Sequence, residues 1–134
     1  MGRELQIVID AHDPVRLAEF WATALGYVVE PAPRGFESWR EFARVNDIPK
    51  DRWAVGLIDP DGRGPRVFLP TVTDTKRGKN RVHLDIFVGG GREQIAVEVA
   101  RLVGIGATHV ADRAERGTSW TVLQDPEGNE FCVQ

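Results

Sequence analysis

Apolar residues along this chain switch between a period near two and a period near 3.6, and the switches mark its elements. Leu5–Ile9 is rich in β-branched apolar residues and predicts a strand. Asp13-Pro14 then supplies an N-cap and a proline at the first helical position. Val15, Leu17, Ala18, Phe20, Trp21, Ala24 and Leu25 keep a helical spacing as far as Gly26, which stops the helix. Tyr27–Glu30 predicts a short strand ended by Pro31 and Pro33. Residues 34–50 are less regular, and Phe36, Trp39, Phe42, Ala43 and Ile48 there suit a short helix or a packed loop. Trp53–Ile58 and Arg66–Val72 read as strands around the turn Asp59-Pro60-Asp61-Gly62. The polar stretch 73–80 crosses to a second half. There Arg81–Val88 predicts a strand, Gly89-Gly90-Gly91 a flexible connection, and Arg92–Val103 a helix with Ile95, Val99 and Leu102 on one stripe. Gly104 or Gly106 ends that helix. Thr108–Ala111, Ser119–Leu123 and Glu130–Val133 predict three more strands, with Asp125-Pro126-Glu127-Gly128 as the last turn.

Written side by side, the halves repeat one order: strand, helix, strand, strand, turn, strand. The turn tetrapeptides match, and Gln6 and His83 hold corresponding places in the two first strands. That offset is 77 residues, against 66 at the turns, and the difference of 11 fits the irregular stretch near residues 35–45, which only the first half possesses. The expected fold class is therefore α+β, with two tandem βαβββ modules at about 1–74 and 79–134 in one domain, and mixed curved sheets around a cavity with the helices outside.

Alternation assigns the faces. Leu5, Ile7 and Ile9 suit the helix side of the first strand, and Gln6, Val8 and Asp10 the other. In the matching strand Val82, Leu84, Ile86 and Val88 suit the helix side, and His83, Asp85 and Phe87 the other. Phe131 and Val133 oppose Glu130 and Cys132. Polar and titratable groups thus fall on the faces that carry no helix, and two such faces brought together would enclose a mixed cavity.

Composition narrows the partners. Apolar residues make up 42% of the 134 positions, enough for an ordinary core. The net charge is only −3 and the basic residues are scattered, which argues against a nucleic-acid footprint. No apolar run is long enough to span a membrane. The first residues lack the basic and apolar regions of a signal peptide, and a single cysteine, Cys132, excludes an internal disulfide. The expectation is a soluble cytoplasmic protein that binds a small molecule.

The segments QIVIDAHDPVRLAEFWATALGY, KNRVHLDIFV, ARLVGIGATHV and SWTVLQDPEGNEFCV resemble the vicinal oxygen chelate superfamily, which holds glyoxalase I, bleomycin-resistance proteins, fosfomycin-resistance enzymes and extradiol dioxygenases. The small glyoxalase-like subgroup is the most similar. In metal-using members four ligands, usually His, Glu or Gln, come from the first and last strands of the two halves. Carried over by position they fall on Gln6, Phe68, His83 and Cys132. Gln6 and His83 are acceptable ligands, Phe68 cannot ligate, and Cys132 stands where a Glu is usual. The resemblance therefore implies either a divalent metal on an incomplete set or no cofactor. It also implies a homodimer, and either metal-assisted enolisation, ring opening or addition, or metal-free sequestration of a drug or metabolite.

Each candidate has a functional and a plain reading. His83 suits a ligand, a general base or a hydrogen-bond donor, or else a satisfied histidine on the cavity face. Asp85, two residues on, suits orienting His83 or binding substrate, although such positions lie about 6–7 Å apart on a strand. Gln6 can ligate or hydrogen-bond. Cys132 is a small buried hydrophobe unless an electropositive neighbour activates it. Trp39 suits a lid, and Trp53, Phe68 and Trp120 cavity walls for a flat or cationic ligand. Trp21 reads as core, and Glu130, His12 and His109 as solvated.

Overall fold

In a computed structural model describing residues 1–134, the first helix forms where its caps require it. Helix α1 (Pro14–Leu25) starts with Asp13 accepting from the Arg16 N–H at 3.2 Å and ends at Gly26, whose φ of 70° is left-handed. Leu17, Ala18, Phe20, Trp21 and Ala24 form its buried stripe. Residues 1–74 and 75–134 make two compact units.

The first unit contains β1 (Gln6–Val8), α1, β2 (Val28–Val29), α2 (Trp39–Val45), β3 (Ala54–Ile58) and β4 (Arg66–Pro70). Its sheet runs β1-β4-β3-β2, with β1 parallel to β4 and the other pairs antiparallel. Helix α1 packs on β3 and β4, and Leu57, Val67 and Leu69 are fully buried beneath it. Each such side chain stabilises the fold by roughly 1.5–3 kcal/mol. The second unit contains β5 (Asp85–Ile86), α3 (Arg92–Gly104), β6 (Thr108–Glu115), β7 (Thr118–Gln124) and β8 (Glu130–Val133), in the order β5-β8-β7-β6. Strand β5 runs parallel to β8. Its core is Ile95 and Leu102 of α3 with Leu123, Phe131 and Val133. The units thus share one topology, α+β with open four-stranded mixed sheets, as the repeat requires. No helix is long and apolar enough to cross a membrane.

Several boundaries differ from the sequence pattern. The expected strand 81–88 is assigned only at Asp85–Ile86, because its main-chain bonds to β8 begin at Leu84 and end at Val88. Val82 and Leu5 lie ahead of the ladders and are 83% and 78% exposed, so neither faces a helix. Strand β6 runs four residues beyond Ala111, with a bulge between His109 and Ala111. The irregular stretch holds α2, capped by Ser38, and a 3-10 turn at Lys50–Arg52. The three glycines are a defined entry to α3: Gly89 and Gly90 have φ of 68° and 98°, and the Gly91 N–H donates to Gln94 Oε1 at 2.9 Å.

Candidate functional site

In the second unit, α3 covers one face of the sheet, and the other carries every second residue of β7, β8 and the segment leading into β5. Parallel pairing sets Asp85 beside Cys132. Across β7, Val122 lies beside Cys132 and Gln124 beside Glu130, while Trp120 pairs with Arg113 of β6. These residues, with His83, Lys79 and Gln134, line a cavity of about 630 Å3.

One corner of it gathers three chemically different donors. The ligand atoms of His83, Asp85 and Cys132 all lie within 4.8 Å of one another. His83 Nδ1 is 3.3 Å from Asp85 Oδ1, so the strand spacing does allow these neighbours to meet. The Gln134 amide donates to the other Asp85 oxygen at 2.8 Å and fixes the carboxylate. Cys132 is buried and its thiol is pushed up, first by burial and then by the Asp85 charge, with Asp85 also accepting from the thiol. Without a cation, the geometry keeps the sulfur protonated.

The first unit is different. Gln6 and Phe68 lie on the sheet face away from α1, but Gln6 Oε1 accepts from Arg66 Nη1 at 2.7 Å and the Arg66 guanidinium sits 5.1 Å from the Phe68 ring. Arg66 also pairs with Glu30 at 2.5 Å, and a Cβ on Gly56 would collide with this pair. Gln6 therefore has its oxygen on a cation, and Phe68 offers no ligand atom. Trp39 and Trp53 are on the α1 side, since Trp53 shares strand parity with the buried Leu57. Their indole N–H groups donate to the carbonyls of Glu30 and Ile48 at 2.6 and 3.1 Å. The structure thus brings His83, Asp85, Cys132 and Trp120 together and keeps Gln6 with Phe68, and Trp39 with Trp53, as separate groups.

The profile of the glyoxalase-like domain family matches residues 6–134. The chain belongs to that family. Through it, this glyoxalase-like chain is part of the vicinal oxygen chelate superfamily, as the motifs implied. Solved structures share its fold at low identity. A glyoxalase/bleomycin resistance protein/dioxygenase family enzyme from Burkholderia phytofirmans is 18% identical, with 96% of this chain and 94% of that one covered at a TM-score of 0.66. A hypothetical protein from S. aureus is 17% identical, with 99% and 96% covered at 0.63. A mutant of the fosfomycin resistance protein FosX from Listeria monocytogenes, complexed with Mn(II) and 1S,2S-dihydroxypropylphosphonic acid, is 8% identical, with 100% and 92% covered at 0.71. No curated protein matches the sequence.

Sequence reasoning missed Gln134, Lys79 and Arg113 among the residues lining this cavity. Gln134 was readable, because it stands two residues beyond Cys132 on the same face. Glu130 is not the solvated charge expected. Its side chain is 11% exposed, bonded to the Asn80 N–H at 2.8 Å and to Lys76 at 3.0 Å. Burial pushes its carboxyl up, but the Asn80 N–H, the Lys76 ammonium and its own backbone N–H outweigh that and bring the pKa from 4.5 to about 2. A depressed carboxylate stabilises the fold above its unfolded pKa and loses that contribution as pH falls through the folded value. Urea melts of Glu130→Gln are expected to show a loss of about 1–2 kcal/mol at pH 7, with the gap to wild type closing as the pH falls from 4.5 to 2. In the apo protein, Asp85→Asn removes a charge that holds the Cys132 thiol up. Alkylation by iodoacetamide at pH 8 should then run about three- to tenfold faster, and an unchanged rate would show that Asp85 has no hold on the sulfur.

Proposed function

We propose that this glyoxalase-like chain acts on a small organic molecule bound over the open face of the second unit's sheet, with a divalent ion, zinc by donor type, on His83, Asp85 and Cys132. The observation that carries this reading is the convergence of nitrogen, oxygen and sulfur donors within 4.8 Å in the cavity wall. The donor types fit zinc, which accepts nitrogen, oxygen and sulfur ligands, and three protein ligands leave a position open. A thiolate is a soft ligand and favours zinc over magnesium or manganese. A cation would also reverse the Cys132 proton balance, since it stabilises the thiolate that burial and Asp85 disfavour.

When bound, such an ion supplies Lewis-acid polarisation of a ligand oxygen. The chain's own groups do the rest. Gln134 orients Asp85, Trp120 and Val122 give the ligand an apolar wall, and Lys79 and Arg113 add positive charge. His83 and Asp85 stand as the residues nearest the reacting atoms. A second reading, metal-free sequestration, is favoured by Trp120 and by the engagement of Gln6 with Arg66. Family resemblance supports a homodimer for either reading, with light scattering as the check.

The deciding measurement is metal content after purification without a histidine tag. About one zinc per chain, released on acidification as the Cys132 thiolate takes up a proton, is the expected result. Metal-free protein that fails to take up zinc, together with tryptophan quenching by an aromatic ligand, would replace the first reading with the second.

A further inference from the structure

The segment that breaks the repeat builds a second cavity, in the first unit and on the α1 side of its sheet. Its volume is about 580 Å3, within the range of small-molecule pockets. Helix α2 and the 3-10 turn close it against α1, β2 and β3.

Its walls are aromatic and set in place. Trp39 and Phe42 meet edge to face at 5.6 Å, and Phe36 braces Phe42 at 5.0 Å. Trp39 and Trp53 are held by their indole N–H bonds to main-chain carbonyls. Yet Trp39, Phe42, Ile48 and Trp53 remain only half-buried, unlike Trp21, which is 2% exposed. Large side chains fixed by hydrogen bonds but left uncovered are an arrangement that stabilises an occupant, because the cost of ordering them has already been met.

The chemistry of the walls selects that occupant. With both indole N–H groups committed, the aromatic walls offer faces and no indole donors. Two guanidiniums, Arg40 and Arg52, and two carboxylates, Glu19 and Glu37, also line the cavity, while the Glu30 carboxylate is engaged by Arg66. The charges balance, so neither an anion nor a cation is favoured. We propose that this cavity is a second binding site, for a neutral, planar, largely apolar small molecule. It is independent of the metal and of the His83 cluster.

Nile red, a neutral planar dye, tests this on the full chain. Dye emission should rise and tryptophan emission fall with saturation at one dye per chain. Val15→Trp on α1 and Ala32→Trp in the loop after β2 each place an indole in the cavity from a partly exposed position. Each should weaken dye binding at least tenfold, with far-UV circular dichroism unchanged, and either folded variant is sufficient. Unchanged affinity in a folded filled variant, or no saturable binding, overturns the site. Tighter binding of the anionic dye 1-anilinonaphthalene-8-sulfonate than of Nile red overturns the chemical class.

Discussion

Replacing His83 with alanine is expected to weaken zinc binding roughly a hundredfold or more, about 2.7 kcal/mol, while leaving the second unit folded. The two halves of that expectation come from different features. His83 supplies one of only three donors, and two remaining ligands hold zinc poorly. Its side chain is 42% exposed and precedes the hydrogen-bonded ladder of β5, so its loss opens no cavity in the core. Cys132→Ser provides the matching case, with nearly the same volume and no soft ligand. Competition against a chromophoric chelator measures the affinity, and circular dichroism checks the fold. If His83→Ala bound zinc as tightly as wild type, the metal would lie elsewhere and the proposed centre would fall with it.

Asp125→Ala is expected to lower stability by about 3 kcal/mol and the melting temperature by about 10 °C, and the matching change Asp59→Ala by clearly less. Both residues open a DPxG turn. Asp125 is 2% exposed and accepts from the backbone N–H groups of Glu127 and Asn129 at 2.9 and 3.0 Å and from the Asn129 amide at 2.9 Å. Its removal leaves those donors without their partner in a dry site, where an unmade bond is costly. Asp59 accepts three backbone N–H bonds, from Asp61, Arg63 and Gly64, and the bond from Asp61 does most to hold its carboxyl below the usual range. Water reaches that turn, so solvent replaces much of what the substitution removes. Equal melting temperatures for the two variants would show that burial does not separate the turns.

The paired turns, the caps of α1 and the places of β3, β4 and β7 were legible because they depend on near neighbours in sequence. Asp13-Pro14 and Gly26 fix α1 wherever it packs. The extent of β5 was not legible: Arg81–Val88 alternates well, but only the part that β8 reaches is bonded. The candidate site divides on the same line. His83, Asp85 and Cys132 were found because parity places them on one face. Arg66 was overlooked, because its hold on Gln6 and Glu30 depends on the register of β1 with β4, of β2 with β3 and of β3 with β4, which no local pattern reports. Trp39 read as a lid and Trp53 as a wall over the helix-free face, whereas both line the cavity on the α1 side, since alternation cannot say how a 15-residue excursion such as 38–52 folds back.

The Arg66 cluster has a consequence for how the two copies of the repeat share their duties. In the first unit the helix-free face is self-neutralised, with guanidinium, carboxylate and amide satisfying one another across Gly56. In the second unit the corresponding face leaves His83, Asp85 and Cys132 gathered around a shared point. The duplicated faces therefore differ: one is occupied by its own ion pair, and the other keeps three potential ligand groups close together. Transplanting the pair Gln6→His and Val8→Asp would reproduce two of the three donors in the first unit, directly against Arg66. The third donor would need Phe68→Cys and the arginine would have to go as well, so the first copy is four coordinated changes away from its sibling, and single substitutions scanned across it should never recruit it.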